Sequence, residues 1–220
     1  MLTLFLFELH LQSVFSRVAR VCKSDKGGGP KKYKSSWTTF LKSRLNCSLP
    51  GEYPFYFDHL RKYMNSIVYS YPIYRGTIIK ASIILQLYGK QFSDSLKSSY
   101  LHVEATSDIV DGDYAGTSAR IVYAVFTTPA NSIAGNAICA FRLRDLLDTF
   151  EGAFKEQETA NSNWLPVVKI KEPHPRPGRC SADSQNLPES TLSFVKGHSI
   201  MDEAVPAFGG RPVFVRANLK

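Results

Sequence analysis

Four cysteines, five histidines and a cluster of aspartates are the residues of this 220-residue chain whose types could do chemistry. No two of Cys22, Cys47, Cys139 and Cys180 stand in a C-x-x-C frame, so neither a local zinc knuckle nor a dithiol redox centre is encoded. An even number of widely spaced cysteines fits structural disulfides formed in an oxidising compartment. Four buried free thiols in a cytosolic protein fit the spacing as well, and four cysteines allow three pairings. Asn46-Cys47-Ser48 is an N-x-[ST] acceptor that makes Asn46 a glycosylation candidate. The two signals together tilt toward export.

The histidines (His10, His59, His102, His174 and His198) form neither an H-x-x-x-H pair nor an H-E-x-x-H frame, which argues against a zinc enzyme. No G-x-S-x-G elbow or Walker loop occurs. Residues 26–30 (KGGGP) lack the Lys-Ser/Thr that a phosphate loop needs, and Pro30 removes an N–H donor, so they read as a flexible surface loop. Asp108, Asp111 and Asp113 resemble the start of a calcium loop, but no Glu follows at EF-hand spacing; a solvated Asp-Gly turn is the expectation. Met201-Asp202-Glu203 offers carboxylates without a neighbouring base or nucleophile and reads as an exposed loop. No enzyme activity, cofactor or metal is expected.

The elements that must position these residues read mostly as strands. Residues 14–21, 119–127, 137–143 and 211–219 are rich in β-branched and aromatic side chains between turn residues, and 119–127 and 137–143 should form an antiparallel hairpin. Residues 37–47 suit helix or strand. A short helix is expected over 144–150, and another can begin at Pro188 with Leu192 and Val195 on one side. Residues 167–180 hold too many prolines for a central strand. Short strands, long loops and few helices point to an all-β sandwich, barrel or propeller. Hydrophobic residues at 44% and charged residues at 21% are ordinary for a globular domain. The net charge of +8 would suggest a nucleic-acid partner. Much of the excess is local, however: Arg61, Lys62, Arg75, Lys80, Lys90 and Lys97 face Asp94 alone between residues 61 and 103. With no nucleic-acid motif present, none is expected to bind.

Several longer strings, in order, resemble the middle of a semaphorin sema domain: SRVARVCK (16–23), WTTFLKSRLNCS (37–48), YAVFTT (123–128), AICAF (137–141), Asn163-Trp164, PHPRPGRC (173–180) and HSIMD (198–202). The look is closest to invertebrate semaphorins of the secreted or single-pass type, notably at residues 157–165. The resemblance implies an all-β fold, a partial seven-bladed β-propeller of which about three central blades are present. It also implies Cys22 bonded to Cys180, Cys47 bonded to Cys139, and a glycosylated Asn46. It further implies an extracellular guidance ligand, secreted or anchored at the cell surface, whose full-length parent is a homodimer that binds a plexin receptor in axon guidance and cell migration. The matched residues are framework, so no receptor contact is assigned. A sema-containing receptor of the plexin or Met type is the alternative; Asn163-Trp164 and residues 175–178 favour the ligand.

The chain departs from that pattern between Phe55-Tyr56-Phe57-Asp58 and Thr106-Ser107-Asp108, which semaphorins place almost side by side. Residues 61–104 intervene, rich in Ile, Lys, Tyr and Asn. Arg61-Lys62-Tyr63 can be coded CGT-AAG-TAT, which holds a splice-donor-like string, and Val103-Glu104 as GTA-GAG, which offers an acceptor. The domain expectation is therefore an uncertain segment at 1–12 and a partial sema domain at 13–220, interrupted at 61–104 by a retained intron or an insertion. Residues 1–12 lack the basic start and cleavage site of a good signal peptide; a short, poor signal peptide is one reading, and a chain cut from a longer one is the preferred expectation. Open blades would expose strand edges, and the β-prone run 76–88 is an aggregation hazard.

Overall fold

The computed structural model describes residues 15–29, 31–34, 36–60, 71–73, 77–82, 107, 109–114, 116–129, 132–159, 161–181 and 183–217. In chain order the strands begin with β1 (Arg17–Cys22), β2 (Leu41–Asn46), β3 (Ser48–Leu49), β4 (Phe55–Tyr56) and β5 (His59–Leu60). Then come β6 (Tyr71–Ile73), β7 (Thr77–Ser82), β8 (Val110–Tyr114), β9 (Thr117–Thr127) and β10 (Gly135–Arg142). Helix α1 (Leu143–Thr149) leads to β11 (Phe154–Glu156) and β12 (Leu165–Pro166). Helix α2 (Glu189–Gly197) leads to β13 (Ile200–Met201), β14 (Val205–Pro206) and β15 (Phe214–Ala217).

Two sheets carry the core. The first runs β12-β11-β13-β2-β1-β7-β6, with β14 also paired to β2; the second runs β15-β10-β9-β5, with β8 also paired to β9. The hairpin expected from residues 119–127 and 137–143 is the β9–β10 pair, with Asn136 opposite Thr127 and Arg142 opposite Ile121. β-branched and aromatic residues at alternate positions make this the natural long ladder. Val18, Leu41 and Leu45 of the first sheet meet Phe126, Ala137, Cys139 and Phe141 of the second, and Leu143, Leu146 and Phe150 close the cluster. Each fully buried Phe or Leu contributes roughly 1.5–3 kcal/mol. The fold is thus mostly β with two short helices.

Helix α2 follows Pro188, whose fixed φ suits a helix start, and buries Thr191, Leu192 and Val195. Residues 37–47 resolve as strand β2 because alternate residues Leu41, Ser43 and Leu45 enter the core. Three expectations are corrected. Asp111-Gly112-Asp113 lies inside β8, with Asp111 ion-paired to Arg120 at 3.1 Å; the turn comes later, where Gly116 has φ +76° and Tyr114 pairs with Thr117. Asp108 lies outside the described residues. Met201 is buried in β13, and Asp202 pairs with Lys155 at 3.2 Å, so this stretch is framework. Residues 26–29 are no free loop: Gly27 and Gly28 are buried. Gly27 has φ +82°, and a Cβ there would sit 2.6 Å from the Lys34 carbonyl oxygen. Strands β6 and β7 come from within residues 61–104, and β7 runs antiparallel to β1 from Arg17↔Ser82 to Cys22↔Thr77.

Candidate functional site

The chemistry-bearing residues gather around two sulfur bridges. Cys22 at the end of β1 is bonded to Cys180, with Cα atoms 5.6 Å apart and a sequence separation of 158. Cys47, just after β2, is bonded to Cys139 in β10, with Cα atoms 5.9 Å apart and a separation of 92. The second bridge ties the two sheets to each other. The first ties β1 to the proline-rich 173–180 segment.

Charged groups extend the first bridge. The Arg20 guanidinium is buried; Nη1 donates to Glu151 Oε1 at 3.2 Å and Nη2 to the Gly178 carbonyl at 3.0 Å. Burial pulls its pKa below the usual arginine value, and the Glu151 carboxylate opposes that shift. The Phe150 ring lies 5.0 Å from its guanidinium. Arg176 donates to Glu172 at 3.1 Å and to the Gly152 carbonyl, over the Phe154 ring. Gly178 has φ +74°, and a Cβ there would stand 2.6 Å from Leu41, so the turn that presents its carbonyl to Arg20 requires glycine.

On the other side of the bridge Asp25 is a buried acceptor that sequence reading missed. Its Oδ1 accepts from Gly27 N–H (2.9 Å) and Thr38 Oγ1 (3.0 Å). Its Oδ2 accepts from Thr38 N–H (2.9 Å), Thr39 N–H (2.8 Å) and Thr39 Oγ1 (2.5 Å). Thr39 Oγ1 in turn accepts from Cys22 N–H at 3.0 Å. Ser184 stitches the same loop to the 181–186 stretch, accepting from Lys26 N–H and donating to the Gly27 carbonyl. The available signal was the Asp-x-Gly spacing, an Asx turn in which the side chain bonds the backbone two residues on.

Asn46 ends β2 partly exposed, with its Oδ1 buried and unpartnered. His59 lies in β5, His174 precedes a cis proline, and His198 follows α2 with Nε2 3.5 Å from Glu156. His10 and His102 lie outside the described residues. Among the described residues no three His, Cys, Asp or Glu side chains gather as a metal would require. A shallow opening of about 330 Å³ is lined by Lys169, Glu172, Pro173, His174 and Arg176. Trp164, Leu165, Val168 and Ile170 are exposed, Ile170 at 91%. The arrangement is a braced frame presenting loops. No helix among the described residues is long and apolar enough to cross a membrane.

The Sema domain family model matches residues 103–220. Semaphorin-1A of Schistocerca americana is 45% identical over 209 residues, covering 95% of this chain and 23% of that protein. Among solved structures, Drosophila Semaphorin 1a, extracellular domains 1-2, is 46% identical with a TM-score of 0.67, covering 93% of this chain and 32% of that one. A chain of Drosophila Plexin A in complex with Semaphorin 1b is 41% identical with a TM-score of 0.69, covering 94% of this chain and 31% of that one. The chain therefore spans about a quarter of the length of the curated relative it matches. Strand pattern, residue identity and backbone agree, and the chain belongs to the Sema domain family.

Proposed function

We propose that this chain is a portion of the propeller of an extracellular guidance ligand that binds a plexin-type receptor, in axon guidance and cell migration. The observation that carries the reading is its 41% identity and shared backbone with a chain of the Plexin A–Semaphorin 1b complex. Two disulfides and the Asn46 sequon suit an oxidising, secretory compartment, secreted or at the cell surface. Recognition then uses surface loops on a rigid frame, and no substrate is turned over. In the parent, homodimerisation would present two such faces and bring two receptors together. Glycosylation at Asn46 belongs to the same reading.

Residues 61–104 are, in this reading, a retained intron or an insertion within the domain. The Sema match opens at residue 103, beside the end of that segment, which supports the boundary. RNA sequencing across the junction tests it, and abundant transcripts that keep the segment would defeat the intron origin. The functional test is surface plasmon resonance between the secreted parent ectodomain and a plexin ectodomain. Saturable binding is expected; its absence with a correctly folded, disulfide-bonded ectodomain would refute the proposal.

A further inference from the structure

The acceptor Asn46-Cys47-Ser48 and the inner bridge share a residue: Cys47 is both the middle of the sequon and the partner of Cys139. An N-x-[ST] acceptor normally lies in a surface loop, where its Asn amide and the hydroxyl two residues on can be gripped. In this fold the tripeptide is paired on both sides. Asn46 ends β2 in register with Pro206 of β14, and its carbonyl accepts from Ala207 N–H at 3.2 Å. The Cys47 carbonyl accepts from Phe57 N–H at 2.9 Å, and Ser48 lies in β3 opposite Tyr56. Cys47, Ser48 and Cys139 are all buried. The Asn46 side chain is divided: Oδ1 is buried, while the residue as a whole is partly exposed. A sugar on Nδ2 therefore has an exit from the finished fold, but the machinery that attaches it has nothing to hold.

We infer that Asn46 receives its glycan before the Cys47–Cys139 bridge closes and not afterwards, so that closing the bridge ends the life of the acceptor. This ordering rests on reading Asn46 as a glycosylation site of an exported protein. In the transfer, Asn46 Nδ2 attacks the anomeric carbon of an oligosaccharide carried on a lipid pyrophosphate. The C–N bond forms, the bond from that carbon to the pyrophosphate oxygen breaks, Nδ2 gives up one proton and the lipid pyrophosphate leaves. No electrons change hands, so oxidation of Cys47 competes with the transfer by burying the acceptor. The time available follows from chain order. Cys139 is made 92 residues after Cys47, which at ribosomal speed is a window of about 5–18 s. Passage out of the ribosome delays both cysteines alike. Residues 61–104 fall inside that interval, so whatever their origin they lengthen it. Without them the interval is about 48 residues, or about 2–10 s.

The test expresses the parent ectodomain in secretory cells under a reversible inhibitor of the glycan transferase, so that its chains fold and oxidise with Asn46 bare. Synthesis is then stopped, the inhibitor is washed out, and the Asn46 peptide is followed by mass spectrometry. Chains with the bridge closed should stay bare, since modification would require local opening. Cys139→Ala, which leaves Cys47 without its partner, should gain the glycan on at least about tenfold more molecules. That variant needs no native fold, because the transferase acts on unfolded chain. In a second arm synthesis continues, with the inhibitor titrated until about a tenth of the chains are bare. Excising residues 61–104 should then raise the bare fraction about threefold, because transfer is first-order and the window is roughly halved. A glycan gained after washout by bridged chains, a Cys139→Ala chain that stays bare, or a bare fraction unmoved by the excision would overturn the ordering. Asn46 bare in cells that never met the inhibitor would remove the acceptor itself, and the ordering with it. No receptor enters either arm, so failure here is distinct from a failure to bind plexin.

Discussion

Replacing both cysteines of one bridge by alanine tests how far the fold depends on sulfur. The Cys47–Cys139 loop, with a separation of 92, lies inside the Cys22–Cys180 loop, with a separation of 158. In the chain-entropy treatment the inner bridge alone stabilises by about 4.6 kcal/mol. With it in place, the outer ring closes through only about 66 residues and adds about 4.4 kcal/mol. Taken in the other order, the inner bridge adds about 3.9 kcal/mol once the outer exists. Cys22→Ala with Cys180→Ala should therefore lose about 4.4 kcal/mol, Cys47→Ala with Cys139→Ala about 3.9, and all four together about 9. The last value exceeds the two separate losses by about 0.7 kcal/mol because each ring shortens the other. A loss of that size is comparable with the whole stability of a typical domain, about 5–15 kcal/mol. Excising residues 61–104 would shorten the inner loop to about 48 residues yet lower its contribution by only about 0.6 kcal/mol, since the cost is logarithmic. Urea unfolding at low protein concentration, followed by Trp37 and Trp164 fluorescence under non-reducing conditions, reads these differences. A loss below about 1 kcal/mol for the Cys22–Cys180 variant, or a quadruple variant no worse than either pair, would refute the loop-entropy argument.

Asp25→Ala should cost about 3–5 kcal/mol in the same unfolding assay, because it strands three backbone N–H donors and two hydroxyls; a change under about 1 kcal/mol would show the knot to be dispensable. The Glu156 carboxyl is held below its ordinary pKa, first by the hydrogen bond from Lys171 and then by His198. Its contribution is present above the unfolded glutamate value and is lost as pH falls through the depressed folded value. Carboxyl NMR titration should find that low midpoint, and Lys171→Met should raise it; an unmoved midpoint would remove Lys171 as the cause. Among the described residues β6 and β12 end the first sheet with unpaired edges, and β7 belongs to the β-prone 76–88 run. The chain expressed alone should scatter light at micromolar concentration, whereas a monodisperse, cooperatively melting monomer would count against that reasoning.

Much of the frame was legible from residue order alone. Residues 119–127 and 137–143 announce β9 and β10 because β-branched and aromatic side chains alternate between turn residues, and that chemistry is local. Pro188 marks the start of α2 for the same kind of reason, a backbone dihedral fixed by one ring. The ordered framework strings carried the family. Other features depended on contacts between distant segments. Asp111-Gly112 is an acceptable turn locally; the register of β8 on β9 places the reversal later, between Tyr114 and Thr117. Three successive glycines read as flexible until Asp25, Tyr33 and Gln185 are folded against them. Lys42 and Arg44 look like solvated charges in one dimension, and only strand pairing sets them against Arg17. Local sterics write secondary structure into short stretches of sequence, while burial and charge pairing are properties of whichever residues the tertiary fold makes neighbours.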